Sequence, residues 1–300
     1  MSGFRQYMHI EKFGNTEVEG IELGQVYVFP KLDGTNASTW LINGTEYYLG
    51  FGSRTRHLAN SDNAGFATWG NKHDGLNQFH TKHRYLRLYG EWLVPHTFKG
   101  YREDAWRRFY VFDVYDDTSE MYLPYDVYKP LLDEFGLDYI PPLATVKNGR
   151  YEHFMEFLAK NRYLCPDEGD PGEGIVIKNY DFYNKFGDQV WAKLIRQEFK
   201  DEHHKVMGAP DINTGLLNED RIVQSVVSTH LVDKTIEKIK ESKGGWSSKN
   251  IPELFERVFY DVVKEELWDQ WKELKFGTIN GKTLKALTIQ KIKQLKPELF

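Results

Sequence analysis

The 300-residue sequence has a single cysteine, Cys165, and no apolar run long enough to cross a membrane. One cysteine excludes an intramolecular disulfide and a cysteine-rich zinc site, and it favours a reducing, intracellular setting. The first ten residues lack the apolar segment of a signal peptide. We therefore expect a cytoplasmic protein with no contact to a membrane.

The sequence also has little net charge. The net charge is −5, with 28% charged and 40% hydrophobic residues and a mean hydropathy of −0.59. This composition argues against a disordered or collagen-like chain. Between residues 71 and 108, eight basic residues accompany four acidic ones, a local excess of +4 that permits a polyanionic partner without requiring one.

The first 200 residues contain short β-branched and aromatic runs bounded by turn residues, which predict strands. Asn43-Gly44 between two of these runs is typical of a hairpin turn. Helical patterns intervene at 125–135 and 151–161. We therefore predict an α+β fold, with mainly antiparallel sheets flanked by helices. The predicted strands are 25–29, 37–42, 46–50, 85–94, 108–115, 174–178 and 190–195.

Beyond about residue 200 the apolar spacing becomes helical. It predicts a helix over 218–241, ended by Lys243-Gly244-Gly245, a second helix starting near Pro252, and a third over 283–295. We therefore predict two domains, an α+β domain over 1–203 and a small all-α domain over 204–300.

Lys31 opens the string Lys31-Leu32-Asp33-Gly34-Thr35-Asn36, between two predicted strands. A lysine at a strand end beside a glycine turn can point into a cleft and become a nucleophile once its ammonium group loses a proton. By itself the string is equally typical of a surface lysine beside a turn.

Further strings follow this lysine in order. They are Ser53-Arg54, Tyr89-Gly90-Glu91, 109–113, 173–178 and a lysine-bearing string around Lys193. In this order and spacing they resemble the motifs of the covalent nucleotidyltransferases, the superfamily of DNA ligases, RNA ligases and messenger-RNA capping enzymes. The resemblance covers residues 31 to about 200 and implies that the first domain is a nucleotidyltransferase domain with the ATP-grasp-like ligase fold.

The resemblance also implies a role for each matched residue, in a phosphoryl transfer that needs positioning and neutralised phosphate oxygens. Lys31 is the nucleophile that attacks the α-phosphorus of ATP. The other roles are Glu91 on the ribose hydroxyls, Phe112 on the base, Lys178 and Lys193 on the α-phosphate, Glu173 on Mg²⁺ or Mn²⁺, and Asn36 and Arg54 on the RNA end.

Two positions depart from the motifs. Pro30 precedes the nucleophile where several relatives carry a glutamate that reads the base edge. The last motif often has two lysines spaced by one residue, but Trp191 and Ile195 flank Lys193 here, and Arg196 is the candidate for the missing charge.

The predicted helical region selects among the family's branches. DNA ligases and capping enzymes normally carry an OB-fold after the nucleotidyltransferase domain, whereas a helical appendage resembles the RNA ligase 2-type and phage-type enzymes. The resemblance thus implies a monomeric, cytoplasmic or phage-encoded ATP-dependent RNA ligase. It would join 5′-phosphate and 3′-hydroxyl RNA ends through lysyl-AMP and RNA-adenylate. The alternatives are a DNA ligase, a GTP-using capping-type enzyme, or a catalytically silent module that binds nucleic-acid ends.

Two further groups leave their interpretation open. The histidines of one stretch fit a polar loop or a metal site, although their spacing lacks a second regular pair; they are His73, His80, His83 and His96. Three tryptophans of the helical region fit base stacking or core packing; they are Trp246, Trp268 and Trp271.

Overall fold

The structure is a computed structural model that describes residues 3–43, 47–59, 61–95, 98–169, 171–196, 218–274 and 278–300. The chain divides into two compact units, Met1–Phe199 and Lys200–Phe300. The predicted domain boundary at 203/204 lies outside the described residues and stays a prediction. In the described ranges no helix has the length and apolar character needed to span a bilayer.

Two five-stranded sheets form the framework of the first unit. Sheet A has the strand order β1-β10-β9-β2-β8 and sheet B the order β4-β3-β5-β6-β7. All pairs are antiparallel except β1 with β10. The strands are β1 (Glu11–Lys12), β2 (Gln25–Lys31), β3 (Thr35–Asn43), β4 (Tyr47–Ser53), β5 (Leu86–Trp92), β6 (Phe109–Asp116), β7 (Met121–Tyr122), β8 (Ala144–Lys147), β9 (Gly174–Lys178) and β10 (Ala192–Ile195).

Alternation along the strands sends side chains into two cores. In β2, Val26 and Val28 enter the smaller core, whereas Tyr27 and Phe29 enter the larger one, which sheet A shares with sheet B. Because both faces of β2 are covered, its sequence is apolar from Val26 to Pro30 rather than alternating.

In the described part of the first unit, four α-helices cover the sheets. They are α1 (Phe66–Asn71), α2 (Asp74–Lys82), α3 (Tyr125–Asp133) and α4 (Tyr151–Lys160), with 3-10 turns at Thr16–Val18 and Glu103–Ala105. The last two α-helices confirm their predicted positions. The first two were not predicted; they are separated by only two residues, Lys72 and His73. Together the elements confirm the predicted α+β fold with antiparallel sheets.

The described part of the second unit is entirely helical, as predicted. Its α-helices are α5 (Asn218–Val226), α6 (Thr229–Lys243), α7 (Ile251–Asp261), α8 (Leu267–Glu273) and α9 (Gly281–Leu295), with a π-helical segment at Val262–Glu266 and 3-10 turns at Ser248–Asn250 and Pro297–Leu299. The prediction of one helix over 218–241 is wrong. Ser228 starts a new helix there, because its side chain accepts a hydrogen bond from the backbone N–H of Leu231.

Candidate active site

The register of sheet A brings three predicted site lysines to one face. Side chains alternate along a strand, so residues that pair directly across neighbouring strands share a face. Lys31 pairs with Gly174, and Lys178 pairs with Tyr27. Val176 pairs with Phe29 on one side and with Lys193 on the other. This face is the one that meets the core shared with sheet B, because Phe29 and Val176 belong to that core.

Lys31 and Glu173 are in direct contact. The Lys31 Nζ donates to Glu173 Oε2 at 2.7 Å, with the two side chains 20% and 5% exposed. The contact follows from the register, because Glu173 immediately precedes Gly174, the residue opposite Lys31. The predicted nucleophile and the predicted metal ligand therefore meet, although they are far apart in the sequence.

Glu91, on β5 of sheet B, is the second carboxylate near Lys31. Its Oε1 accepts a hydrogen bond from the backbone N–H of Gly34 at 2.9 Å. Burial raises the pKa of Glu91 to about 7, while the positive charge of Lys31 and the Gly34 hydrogen bond oppose the rise and the charge of Glu173 adds to it. The site is thus a group of carboxylates around one lysine.

Phe112, the predicted base-stacking residue, sits at a β-bulge. The β5–β6 pairing shifts by one residue between Tyr89 and Gly90, so that Phe112 is the extra residue of its strand. A bulge beside an active site redirects a side chain that regular alternation would place elsewhere. The Phe112 ring is partly buried and contacts Tyr7, with ring centroids 4.9 Å apart.

Lys178 has partners other than the α-phosphate that the resemblance implies for it. Its Nζ donates to Asp113 Oδ1 at 2.7 Å and to the backbone oxygen of Phe112 at 2.6 Å, and the side chain is 2% exposed. It also lies 4.7 Å from the centroid of the Phe29 ring. Burial lowers the pKa of Lys178, and the charge of Asp113 opposes this. The amino group therefore fixes the strand of Phe112, and its phosphate contact stays a prediction.

Asp113 collects the remaining donors of this buried network. Its Oδ2 accepts from the Tyr7 hydroxyl at 2.6 Å and from the Trp191 indole N–H at 3.1 Å. Burial, then the charge of Asp113, raises the pKa of Tyr7, so the phenol remains a neutral donor. Trp191 thus occupies one of the positions where the motif often has lysine and serves the network instead.

Lys193 is partly buried on β10. Arg196 is the candidate substitute for the missing lysine. Its backbone N–H donates to the backbone oxygen of Glu173 at 3.0 Å, and its guanidinium donates to the backbone oxygen of Pro171 at 3.3 Å. The structure therefore places Arg196 beside the backbone of the site, and the α-phosphate roles remain predictions.

The two predicted RNA-end residues lie at one level of sheet B. Asn36 pairs with Glu91, and Arg54 follows the last residue of β4 at the register position of Asn36. The Asn36 Oδ1 is buried and has no hydrogen-bond partner within the described ranges. Arg54 is exposed, and its Nη2 lies 3.2 Å from Nδ1 of His9. The Asn36 side-chain oxygen and the exposed Arg54 guanidinium therefore lie at the same level of the sheet.

Three of the four histidines lie in helix α2 or at its ends. His73 caps its start by accepting a backbone hydrogen bond at 3.1 Å. His80 is buried with Nε2 2.7 Å from the Thr39 hydroxyl, and burial lowers its pKa to about 3. Burial likewise lowers the pKa of His83. Over the described ranges, no three His, Cys, Asp or Glu residues are grouped so as to bind a metal, and His96 lies outside them.

Sequence reasoning missed Tyr101. Its hydroxyl accepts a hydrogen bond from the backbone N–H of Asp33 at 2.8 Å, and the Asp33 carboxylate accepts one from the backbone N–H of Phe98 at 2.7 Å. Burial, then the charge of Glu173, raises the pKa of Tyr101. A neutral phenol thus ties a second loop to the string that begins at Lys31. No local pattern announces it, because the contact spans 68 residues.

Asn63 is a second missed residue. Its side-chain oxygen accepts a hydrogen bond from the Thr35 hydroxyl at 3.3 Å, and its side-chain amide donates to the backbone oxygen of Asn36 at 3.4 Å. Asn63 and Ala64 both have left-handed backbone conformations, with φ of 50° and 56°. A left-handed alanine is unusual, so the loop holds a costly conformation directly against the site.

The tryptophans of the second unit differ in exposure. Trp246 packs against that unit's core, whereas Trp268 is 57% exposed and has its ring centroid 6.5 Å from that of Trp271. Core packing therefore describes Trp246, and base stacking stays open for Trp268.

The carboxylates of the site suit a hard divalent cation. Mg²⁺ and Mn²⁺ prefer oxygen ligands, and Mg²⁺ typically takes one or two protein carboxylates together with water and substrate phosphates. Glu173 and Glu91 offer such oxygens beside Lys31. The residues present therefore fit the metal that the resemblance implies.

The comparison with family models agrees with the motifs. The family model described as RNA ligase matches residues 24–195. No curated protein matches the sequence. Among solved structures, an apo mutant of Naegleria gruberi RNA ligase has a TM-score of 0.48 at 21% identity, covering 68% of this chain and 59% of that one. The same organism's RNA ligase with PPi has a TM-score of 0.47 at 19% identity, covering 68% and 60%. A mutant with ATP and Mn has 0.45 at 20%, covering 65% and 57%. This chain thus spans less than two thirds of these relatives.

Proposed function

The chain belongs to the RNA ligase family, because the family model matches more than half of its length, and we propose that it is an ATP-dependent RNA ligase. The observation that carries this proposal is the contact of Lys31 with Glu173 at 2.7 Å, beside Glu91 and on the inner face of sheet A. It joins the predicted nucleophile to the predicted metal-binding carboxylate in one half-buried place.

In the first step Lys31 attacks ATP. The Nζ first loses its ammonium proton to solvent. The amine then forms a bond to the α-phosphorus and releases a second proton to solvent, while the bond between that phosphorus and the bridging oxygen breaks and pyrophosphate leaves. The product is lysyl-AMP. A lysine is suited to this role because its amine becomes a nucleophile on deprotonation, whereas an arginine stays protonated.

The residues around Lys31 would hold the nucleotide. Glu91 accepts hydrogen bonds from the ribose hydroxyls, and Phe112 stacks on the base, where a planar apolar contact is favourable. Lys193 neutralises α-phosphate oxygens. A divalent cation, when bound, supplies further charge neutralisation at the phosphates. Glu173 would hold that cation once Lys31 is no longer its partner.

The later steps act on RNA. A 5′-phosphate oxygen of RNA attacks the phosphorus of lysyl-AMP, freeing Lys31 and giving RNA-adenylate. A 3′-hydroxyl then attacks the 5′-phosphorus, so that AMP leaves and a phosphodiester forms. Arg54 would bind the 5′-phosphate through its planar fork, and Asn36 would orient the end.

Incubation with α-labelled ATP or GTP tests the proposal directly. We expect a label on the protein that is stable to denaturation, with ATP and Mg²⁺ or Mn²⁺ but not with GTP. Lys31→Ala and Lys31→Arg are expected to abolish the label while leaving the fold intact. The matched control is Lys160→Ala, because Lys160 lies on the exposed surface of α4.

Each outcome discriminates. A GTP-derived label would indicate a capping-type enzyme, and no label would support a binding module. A label that survives Lys31→Ala would place the nucleophile elsewhere. Sealing assays on RNA and DNA with 5′-phosphate ends then separate RNA ligase from DNA ligase.

A further inference from the structure

An amino-terminal segment runs from sheet B to sheet A. We call residues 3–13 the strap. The backbone oxygens of Gly3 and Arg5 accept hydrogen bonds from Arg87 at 2.7 Å and from Tyr89 at 3.0 Å, both on β5. The strap therefore begins fixed to the strand that carries Glu91.

The other end of the strap joins sheet A. Its strand β1 pairs in parallel with β10, and the backbone N–H of Phe13 donates to the Lys193 oxygen at 2.9 Å. Because both ends are held by main-chain contacts, the residues between them have a defined position relative to both sheets. Tyr7, at the middle, is anchored on Asp113 at 2.6 Å.

His9 lies between these anchors and contacts Arg54. Its Nδ1 is 3.2 Å from Arg54 Nη2, and its Nε2 is 3.7 Å from Glu11 Oε1. The guanidinium has only donors, so the short contact requires an unprotonated Nδ1 that accepts. The ring proton then lies on Nε2, which faces the Glu11 carboxylate. Glu11 thus favours the tautomer of His9 that can bind Arg54.

Such a partner matters because the Arg54 side chain is exposed rather than packed. Arg54 lies in a tight turn in which the Ser53 backbone N–H donates to the Arg56 oxygen at 2.9 Å, and its side chain is exposed. An exposed arginine has many rotamers, and fixing it on a ligand has an entropic cost. A side chain already held in place avoids part of that cost.

We propose that His9 is a positioning residue that holds the Arg54 guanidinium ready for the 5′-phosphate of the RNA substrate. This rests on the proposed function, in which Arg54 binds that phosphate. His9 itself touches neither ATP nor the reacting atoms. His9 therefore acts on the transfer of AMP to RNA and not on the formation of lysyl-AMP.

The test compares His9→Leu, which removes the acceptor, with His9→Gln, whose amide oxygen can still accept from Arg54. The matched control is Gln6→Ala, at an exposed strap position. Each full-length variant is first converted to lysyl-AMP with labelled ATP, and AMP transfer is then measured in single turnover against the concentration of 5′-phosphorylated RNA. Thermal unfolding of each variant checks the fold.

We expect His9→Leu to form lysyl-AMP at the wild-type rate and to need about two- to tenfold more RNA for half-maximal transfer. The maximal rate should be unchanged. His9→Gln is expected to restore most of the affinity. In an Arg54→Ala background, His9→Leu should have no further effect, because the two residues act through one contact.

Binding of 5′-phosphorylated and 5′-hydroxyl RNA, followed by fluorescence anisotropy, gives a readout that needs no chemistry. Wild-type protein is expected to prefer the phosphorylated end, and His9→Leu to lose part of that preference. An equal defect of His9→Leu with and without Arg54 would overturn the inference, as would unchanged RNA affinity. A wild-type protein that forms no lysyl-AMP would instead count against the proposed function.

Discussion

Replacement of Asp113 by asparagine is expected to destabilise the first unit severely. Asp113 is fully buried and accepts from Lys178 at 2.7 Å. At this distance and an effective dielectric constant of about 20, the attraction between two unit charges is about 6 kcal/mol. Asparagine keeps one oxygen acceptor, so the net loss is smaller. Removal of one member of a buried pair costs about 3–5 kcal/mol, and we expect a loss in that range.

Such a loss is a large part of the stability of a domain, about 5–15 kcal/mol. Urea denaturation followed by circular dichroism measures it, with Asp133→Asn as the matched control. Asp133 binds Lys129 at 2.5 Å, but both side chains are more than 40% exposed, so that change should cost far less than the loss of a buried pair. A loss for Asp113→Asn as small as the control's would refute the buried network.

Lys178→Met separates the two roles assigned to this lysine. If Lys178 holds the strand of Phe112, the variant loses stability but still forms lysyl-AMP, at a higher ATP concentration, at temperatures where it remains folded. If it also binds the α-phosphate, the variant loses stability as well, and lysyl-AMP formation fails even at temperatures where the variant remains folded. We expect the first result, because the side chain is 2% exposed and bound to Asp113.

Three further predictions follow from the site and the domain division. Folding raises the pKa of Glu91 from 4.5 to about 7, so the wild type loses stability as pH rises through this window. In thermal melts, Glu91→Gln should therefore be about 1–2 kcal/mol more stable than the wild type at pH 8 and equally stable below pH 4.5. Lys193→Ala should slow lysyl-AMP formation by orders of magnitude; full activity would mean that Arg196 or another cation neutralises the phosphate. A chain ending at Glu202 should still form lysyl-AMP but seal RNA poorly, because residues 231–300 carry 14 Lys and Arg against 11 Asp and Glu and are the remaining candidates to hold RNA. Aggregation of that chain would mean that the helices only cover apolar surface, and sealing at the full-length rate would contradict a role in RNA binding.

The sequence was sufficient for most strands of the site, because alternation and turn residues are local signals. β9 was predicted with its observed bounds, and β2 and β6 to within two residues at either end. Register is not a local property, and it is the register that places Glu173 against Lys31. The motif order predicted their meeting only through the family resemblance.

Phe112 shows where alternation gives the wrong answer. In a regular strand, Phe112 and Asp113 would point to opposite faces, and an aromatic residue in such a run is expected to be core. The bulge at Phe112 changes the alternation, and Asp113 then meets Lys178 and Tyr7. A bulge depends on the partner strand as well as on its own residues, so neither segment alone predicts it.

The motif glycines show what the recognisable strings encode. A Cβ on Gly34 would lie 2.6 Å from the backbone oxygen of Trp92, and a Cβ on Gly174 would collide with the backbone oxygen of Leu194. Each glycine therefore marks a close approach of two strands that any side chain would push apart. Gly174 lies opposite Lys31 and directly after Glu173. Gly174 thus lets β9 lie close to β10, directly beside the Lys31–Glu173 contact. Such a glycine is visible in the sequence as part of a motif, whereas the roles of Tyr101 and His9 come from distant partners and are not.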